Sequence, residues 1–399
     1  MEPIKKSYKI FVIILLIVII SSGFLLPLLL IKGTNIENID IQLKFEGDNA
    51  YIHVEEQILI NQTHFRIPGT QGREQCAQYF ITKFQEIEAN FSYILHNFTV
   101  HSIECQNVLF KLNENFSNIV ILGAHYDSRA RATKDPIISN RTKPVPGAND
   151  GASGSAVLIE LARVLYERSI NLSCQIWFLF FDAEDQGYDY AAGIEGWGWC
   201  EGSTSFVNNI NNFYNSSKEY FDCMILLDMV GGENLQFINE QHSSSSLLEE
   251  LFEIGRQLGY TTQFPTAPYS ATITDDHVAF INYEIPSADL IIKFWDNPEW
   301  PYHHTTQDDL SHISNMSLEI TGRTVEQFIY NNYLDIPSNN YQGNFPWKQD
   351  INVLDTELLT FLIIFFGIIG VSTLVFLLIR RIYVKKKDNN SRIKIKNTF

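Results

Sequence analysis

Short runs of consecutive apolar residues recur through the middle of the chain and alternate with segments whose apolar positions repeat at helical spacing. Four mainly apolar runs of strand length lie at residues 119–124, 175–181, 223–228 and 285–292. Continuous apolar runs of this length are typical of strands buried on both faces of a sheet. Residues 91–100 and 107–113 also favour strands.

Segments whose apolar residues repeat at helical spacing lie before, between and after these runs. The predicted helices cover residues 71–88, 153–168, 203–213, 246–258 and 315–333. Helices that alternate with buried strands favour an α/β fold in which the helices cover both faces of the sheet. We therefore predict a single-domain, three-layer sandwich with a central, mixed and twisted β-sheet.

Two longer apolar stretches flank this pattern, at residues 9–31 and 358–379. Each is long enough to cross a hydrocarbon core of ~30 Å as a helix. The first follows Lys5 and Lys6, as a signal peptide would, but its length favours an uncleaved anchor. A basic tail follows the second, and basic flanks stay cytoplasmic, so we expect both termini inside the cell membrane and the central part outside.

The predicted organisation has seven parts. They are a cytoplasmic N-terminus (1–8), a transmembrane helix or signal anchor (9–31), a lead-in (32–66), a catalytic domain (67–335), a linker (336–357), a transmembrane helix (358–379) and a basic cytoplasmic tail (380–399). The lipid bilayer is thus an expected partner of the chain.

Charge limits the other partners. The tail carries eight Lys or Arg residues against one acid and residues 1–10 carry three Lys against Glu2, which leaves a net charge of −26 on residues 11–379. Such an acidic segment repels nucleic-acid phosphate, so no nucleic-acid partner is expected, whereas a cationic peptide α-amino group is attracted. Eight glycosylation sequons between Asn61 and Asn315 agree with an outside location, and five cysteines leave the disulfide pairing open.

Histidine and acidic residues follow the predicted buried strands. They are His125, Asp127, Asp150, Glu184, Asp185, Asp228 and His304. A single acid at a strand end is usually a cap, but in α/β folds ligands bind beyond the carboxyl ends of the strands, where these residues would meet. Crowded carboxylates repel, so a cation is expected among them, and imidazole with carboxylate suits one or two zinc ions. Glu184 and Asp185 are neighbours that point apart, so one can bind metal while the other faces substrate as a base.

The ordered motifs HYD, PGANDGASG, FFDAEDQG, LLDMVG and HTTQDD, which begin at residues 125, 146, 180, 226 and 304, resemble those of metallopeptidase family 28. That superfamily contains two-zinc aminopeptidases and single-zinc glutaminyl cyclases. The resemblance covers roughly residues 65–333. It implies that Asp150, Asp185 and His304 bind the zinc common to the superfamily. In two-zinc members Asp150 would bridge, and His125 and Asp228 would bind the second ion.

The resemblance also implies roles for residues that do not bind metal in the cyclase scheme. Glu184 matches the general acid/base, and Asp127 matches the residue that orients His125. Asp275, in the motif TDDH, matches an acidic active-site residue of glutaminyl cyclases, where Asp228 would also assist the reaction. A cis peptide bond is expected at Asp150–Gly151.

Several motifs look most like bacterial glutaminyl cyclases, among them FFDAEDQG and the string WCEGS at 199–203. One position departs from that pattern, because His303 stands where cyclases usually carry a tryptophan just before the zinc-binding histidine. The substrate-binding aromatic would then be supplied by Trp295, Trp300 or Tyr302, or replaced by His303 itself.

We therefore expect a zinc enzyme that acts on the N-termini of peptides or proteins. The leading hypothesis is a glutaminyl-peptide cyclotransferase with one zinc ion. The alternative is a two-zinc aminopeptidase. A non-catalytic ectodomain is the third hypothesis, and its signature would be loss of the base or of a ligand, whereas all of these residues are present in the chain.

The first prediction concerns topology. In sealed vesicles, protease on the cytoplasmic side should remove the basic tail that follows Ile379 and leave residues 32–357 intact. Cleavage of the central segment from the cytoplasmic side would contradict the predicted orientation. Mapping the fragments by mass spectrometry distinguishes the two outcomes.

Overall fold

A computed structural model describes residues 42–188, 193–335, 377–378 and 380–381 of the chain. Seven helices are α1 (Gly47–Leu59), α2 (Gln71–Ile87), α3 (Ala152–Tyr166), α4 (Glu201–Asn208), α5 (Ser245–Gln257), α6 (Asp276–Asn282) and α7 (Asn315–Tyr333). Eight strands are β1 (Ser92–Val100), β2 (Ile103–Leu112), β3 (Asn118–His125), β4 (Gln175–Phe181), β5 (Tyr220–Leu227), β6 (Asn239–Glu240), β7 (Ser270–Ala271) and β8 (Ser287–Leu290).

Six strands form the central sheet in the order β1-β2-β4-β3-β5-β8. The hairpin of β1 and β2 adds to β4 in antiparallel fashion, whereas β4, β3, β5 and β8 run parallel to their neighbours. The predicted mixed sheet is confirmed. Because the parallel strands all end at the same edge, the residues that follow them are delivered to one side of the molecule.

Alternate residues of each buried strand pack on opposite faces of the sheet. In β4, Phe178 and Phe180 face a core shared with α2, α3, α5 and α7, whereas Trp177 and Phe181 face a second core shared with α4 and α6. Every residue of β4 is buried. The predicted layers of helices on both faces of an α/β sheet are therefore present. Four of the five predicted helices have boundaries within two residues of those observed, whereas the helix predicted at 203–213 is α4, which ends at Asn208.

Helix α1 lies within the predicted lead-in and was not foreseen. Its buried positions are few, since Ala50, Val54 and Ile58 face the core while Leu59 is half exposed, so the apolar pattern is weak. Phe45, just before it, is fully buried, and the backbone N–H of Phe45 donates to Glu326 of α7 at 2.9 Å. The described part of the lead-in, residues 42–66, thus packs into the same core as the predicted catalytic domain.

Two further features of the structure concern the predicted membrane spans and the cysteines. No helix among the described residues is long and apolar enough to cross a bilayer. The predicted spans at 9–31 and 358–379 lie outside those residues, apart from Leu377 and Leu378, and remain predictions. All five cysteines are described, all are buried, and none of them forms a disulfide.

Helix α3 approaches the sheet closely at Gly154, where an added Cβ would collide with the carbonyl oxygen of Leu227. Overpacking a buried site costs ~1–3 kcal/mol, and backbone cannot yield as a flexible side chain can, so we expect Gly154→Ala to lower the free energy of unfolding by about 3 kcal/mol. Chemical denaturation measures the loss.

A matched control is Gly259→Ala, because Gly259 has open space around its Cβ position but a φ of +93°. Its cost is backbone strain of about 1 kcal/mol. If Gly154→Ala is no more destabilising than Gly259→Ala, the close contact between α3 and β5 is not as described.

Candidate metal centre and active site

The candidate site lies at the edge of the sheet where the parallel strands end. His125 is the last residue of β3, Glu184 and Asp185 follow β4, and Asp228 follows β5 directly. Asp150 precedes helix α3, whose N-terminus points to the same edge. These side chains are buried, with exposed fractions between 1 and 8%.

One half of the cluster is centred on His125. Its Nε2 atom lies 3.1 Å from Asp150 Oδ1 and 3.1 Å from Asp228 Oδ1. One ligand atom from each of these residues lies within 4.8 Å of the others. This is the residue set expected around the second metal ion of a two-zinc site.

The other half is centred on His304. Its Nε2 atom lies 2.8 Å from Asp185 Oδ1 and 3.6 Å from Asp150 Oδ2. Asp150 therefore faces His125 with one carboxylate oxygen and His304 with the other. The structure brings all five predicted ligands together and places Asp150 between the two halves, as the predicted bridging role requires.

The electrostatics of the cluster are unfavourable without a cation. Burial, together with neighbouring carboxylates, raises the pKa of Asp150 and Asp228, and burial raises the pKa of Asp185 to about 6 against the opposing charge of Arg129. Burial alone would lower the pKa of His125, but contacts with Asp127, Asp150 and Asp228 outweigh it and raise that pKa well above its usual range. The carboxylates around His125 thus favour a positive charge at this position, which is the charge that a bound cation would bring.

The donor set fits zinc. It offers carboxylate oxygens with two imidazoles, the ligands that zinc prefers alongside thiolate. Burial, followed by the charge of Arg129, lowers the pKa of His304 well below its usual range, so that imidazole is neutral as a ligand must be. The Asp185 Oδ2 atom is buried without a hydrogen-bond partner among the described residues, which leaves it available for a metal ion.

Glu184 belongs to a second acidic group beside the ligands. It lies with Cys200 and Asp275, each offering an atom within 4.8 Å of the others, and the Cys200 thiol donates to Glu184 Oε1 at 3.4 Å. Burial raises the pKa of Glu184 well above its usual range. Burial and the charge of Asp228 raise the pKa of Asp275 to about 7. Glu184 and Asp185 therefore diverge, as expected for neighbouring residues with separate roles.

Asp127 holds the loop that carries Glu184. Its Oδ1 atom accepts from the backbone N–H of Glu184 at 3.0 Å, and its Oδ2 atom accepts from the Gln186 side chain at 2.8 Å. Its Oδ1 atom also lies 3.4 Å from His125 Nδ1, the contact expected of a residue that orients a ligating imidazole. Asp127 thus fixes the relative positions of a candidate ligand and the candidate base.

Three further residues support the site, although the sequence pattern does not predict such a role for them. The fully buried Arg66 donates to the backbone carbonyls of Tyr126, Pro146 and Gly147, so it links the loops before Asp127 and Asp150. Asp308 accepts from the backbone N–H groups of Asn149 and Asp150. Arg129 donates to the carbonyl and carboxylate oxygens of Asp185. Most of these partners are backbone atoms far away in the chain, which leave no signal in residue type or spacing.

Three residues at the site have positive φ angles. Ala183, Met229 and His304 have φ values of +60°, +49° and +57°, a region that side chains rarely occupy and that is often retained at functional sites. Gly151, beside Asp150, has a φ of +101° and begins the turn into α3. All peptide bonds of the described residues are trans, so the expected cis bond at Asp150–Gly151 is wrong, and the turn is made through the φ of Gly151 instead.

The four candidate substrate-binding residues occupy different environments. Trp300 is only 2% exposed and packs in the core, so it presents no surface to a ligand. Tyr302 stacks on His312 with ring centroids 3.6 Å apart, and Trp295 packs against Phe294 and Tyr269. Of the four, His303 lies beside the metal ligands, with Nε2 3.8 Å from Asp150 Oδ2.

Comparison with known proteins agrees with this geometry. The chain is 29% identical to aminopeptidase YwaD of Bacillus subtilis over 228 residues, which is 55% of this chain and 42% of that protein. The chain thus spans less than half the length of this relative. A Zn-dependent exopeptidase from Parabacteroides distasonis is 30% identical with a TM-score of 0.65, over 73% of this chain and 99% of that one.

A glutaminyl cyclase from Bacteroides thetaiotaomicron, solved with N-acetylhistamine bound, is 28% identical with a TM-score of 0.65 over the same shares of the two chains. The relatives therefore include both of the enzyme classes expected from the sequence. The family model described as Peptidase family M28 matches residues 107–329, which contain every candidate ligand, and the chain belongs to that family of zinc-dependent enzymes.

Proposed function

We propose that this chain is a glutaminyl-peptide cyclotransferase, which converts an N-terminal glutamine to pyroglutamate and releases ammonia. The proposal depends chiefly on the placement of Asp275 beside Glu184, in a buried acidic group distinct from the candidate metal ligands. Cyclisation requires proton transfer from the α-amine to departing ammonia, and such an acid pair suits that transfer. The similarity to a bacterial glutaminyl cyclase over nearly all of that protein supports it.

Asp150, Asp185 and His304 would bind the zinc ion of a cyclase. When bound there, zinc would act as a Lewis acid toward the γ-carbonyl oxygen of the glutamine. The contact of Arg129 with Asp185 and that of Asp308 with the backbone of Asp150 hold two of these ligands in place. Ligand geometry fixed in this way lowers the reorganisation needed when substrate binds.

Glu184 would act as the general base and then as the general acid. It would take a proton from the α-amine as that nitrogen attacks the γ-carbonyl carbon, and it would give the proton to the departing ammonia. Burial has already raised the pKa of Glu184, which favours a proton-carrying role over permanent ionisation. Asp127, through the backbone N–H of Glu184, keeps this carboxyl in position.

Asp275 would steady the leaving group. Its pKa, raised to about 7 by burial and by Asp228, allows it to donate or accept a hydrogen bond near neutral pH. Asp228 and Asp275 would then form an acidic link beside Glu184. In this scheme neither residue binds metal.

A two-zinc aminopeptidase is the second candidate. Asp150 faces His125 with one oxygen and His304 with the other, which is the arrangement for a carboxylate shared by two metal ions. The similarity to the Bacillus aminopeptidase also favours it. Glu184 would then activate a water molecule, and Asp228 would bind metal instead of assisting Asp275.

We also propose that the enzyme acts outside the cytoplasm and is anchored to a membrane. The two apolar stretches at 9–31 and 358–379 and the basic tail support this location. Peptide or protein N-termini outside the cell would then be the substrates.

Paired substitutions test the assignment of the two neighbouring carboxylates. Glu184→Gln keeps the size of the side chain but cannot accept a proton, so it should retain zinc and lose ~10²–10⁴-fold in rate. Asp185→Asn should lose zinc and activity together. Zinc is measured by mass spectrometry and the fold by circular dichroism. Loss of zinc from Glu184→Gln with retention by Asp185→Asn would reverse the assignment.

Asp275 distinguishes the two reactions. Asp275→Ala should abolish most of the ammonia release from peptides with N-terminal glutamine if the chain is a cyclase. Both the native chain and this variant should also be assayed for amino-acid release from peptides with N-terminal leucine. A native chain that releases leucine but no ammonia, and that tolerates Asp275→Ala, would support the aminopeptidase instead.

A further inference from the structure

His303 and Lys134 form a polar pair at the rim of the metal cluster. His303 is 8% exposed, and its ring lies against Phe294 and His304, with centroid distances of 4.4 and 3.6 Å. Its Nδ1 atom lies 2.9 Å from Lys134 Nζ. Its other nitrogen, Nε2, lies 3.8 Å from Asp150 Oδ2 and therefore faces the cluster.

The contact with Lys134 determines where the imidazole proton sits. A lysine ammonium has three donors and no acceptor, so Nδ1 of His303 must accept from it through a lone pair. A neutral imidazole carries one N–H, which is then on Nε2. The N–H of His303 is thereby directed at the interior of the site.

This tautomer argues against a ligand role for His303, although Asp150, His303 and His304 offer atoms within 4.8 Å of one another. A metal ligand needs a lone pair, and the Nε2 lone pair is not available while that atom carries the proton. Ligating histidines also usually donate their second N–H to a carboxylate or carbonyl, whereas the second nitrogen of His303 meets a cation. Asp150 does not take up the N–H either, since 3.8 Å exceeds a hydrogen-bond distance.

We propose that His303 donates a hydrogen bond from Nε2 to the carbonyl oxygen of the substrate that gains negative charge during attack, and that Lys134 fixes this donor. The inference rests on the proposed function for the identity of the substrate, an N-terminal glutamine whose γ-carbonyl is attacked. His303 is then a catalytic residue, because it touches the reacting group, and Lys134 is a positioning residue, because it acts through His303. The ring contacts with Phe294 and His304 hold the imidazole of His303 in place.

Two substitutions at His303 separate donation from packing. His303→Phe keeps an aromatic ring against Phe294 but has no donor, whereas His303→Gln retains an N–H group. Removal of one oxyanion donor costs ~10²–10³-fold in kcat, so His303→Phe should lose about that much with little change in KM and with its zinc content unchanged. The kcat of His303→Gln should be at least tenfold higher than that of His303→Phe. Loss of zinc from His303→Phe would show that His303 is a metal ligand and would overturn the proposal. Equal rates for the two variants, or a kcat of His303→Phe equal to that of the native chain, would also overturn it.

Lys134 is tested through the tautomer itself. In full-length protein labelled with ¹⁵N-histidine, His303 should show an unprotonated Nδ1 and a protonated Nε2, and Lys134→Met should shift the population toward protonated Nδ1. Lys134→Arg, which also only donates, should preserve the native tautomer. Protonation of Nδ1 in the native protein would overturn the proposal.

The tautomer is measured without turnover, so it remains interpretable if no ammonia is released from glutamine peptides. In that case the cyclase proposal fails, but the donor role of His303 does not fail with it. The His303 variants are then assayed on an aminopeptidase substrate, whose scissile carbonyl would accept the same hydrogen bond.

Discussion

Repulsion among buried carboxylates is the constraint on which the arrangement of this site depends. Asp150, Asp185 and Asp228 converge on two imidazoles at one edge of the sheet, and burial raises the pKa of each carboxyl group. Water cannot screen these charges, so a cation must balance them or protons must be taken up. A zinc ion would remove the conflict, and the same conflict would give the site its affinity for one.

The surrounding structure holds the carboxylates where they would otherwise separate. Asp127 and Asp308 accept from backbone N–H groups beside the candidate ligands, and Arg66 ties two of the loops together through backbone carbonyls. The backbone at His304 is left-handed, and its carbonyl oxygen accepts from the backbone N–H of Lys134 at 3.1 Å. Polar contacts with the backbone therefore help to hold the strand ends in position.

The sequence predicted the sheet, most of the helices and the grouping of the candidate ligands, because buried strands and the residues after them follow simple rules of burial and direction. It did not predict α1, whose apolar face is short. It also did not predict that Arg66 links the loops of the site, because the partners of Arg66 are backbone atoms 60 to 81 positions away. The expected cis bond was wrong because Gly151 makes the turn with a positive φ. The donor face of His303 depends on Lys134, 169 residues away, which residue spacing does not reveal. The roles of the individual site residues stay predictions.

The zinc content of the purified native chain, measured after dialysis against metal-free buffer without chelator, tests the account most directly. If the converging carboxylates are balanced by a bound cation, the folded chain should retain zinc at a whole-number ratio, with one ion per chain for the proposed cyclase. A folded chain that retains no zinc would contradict the claim that a bound cation balances the converging carboxylates.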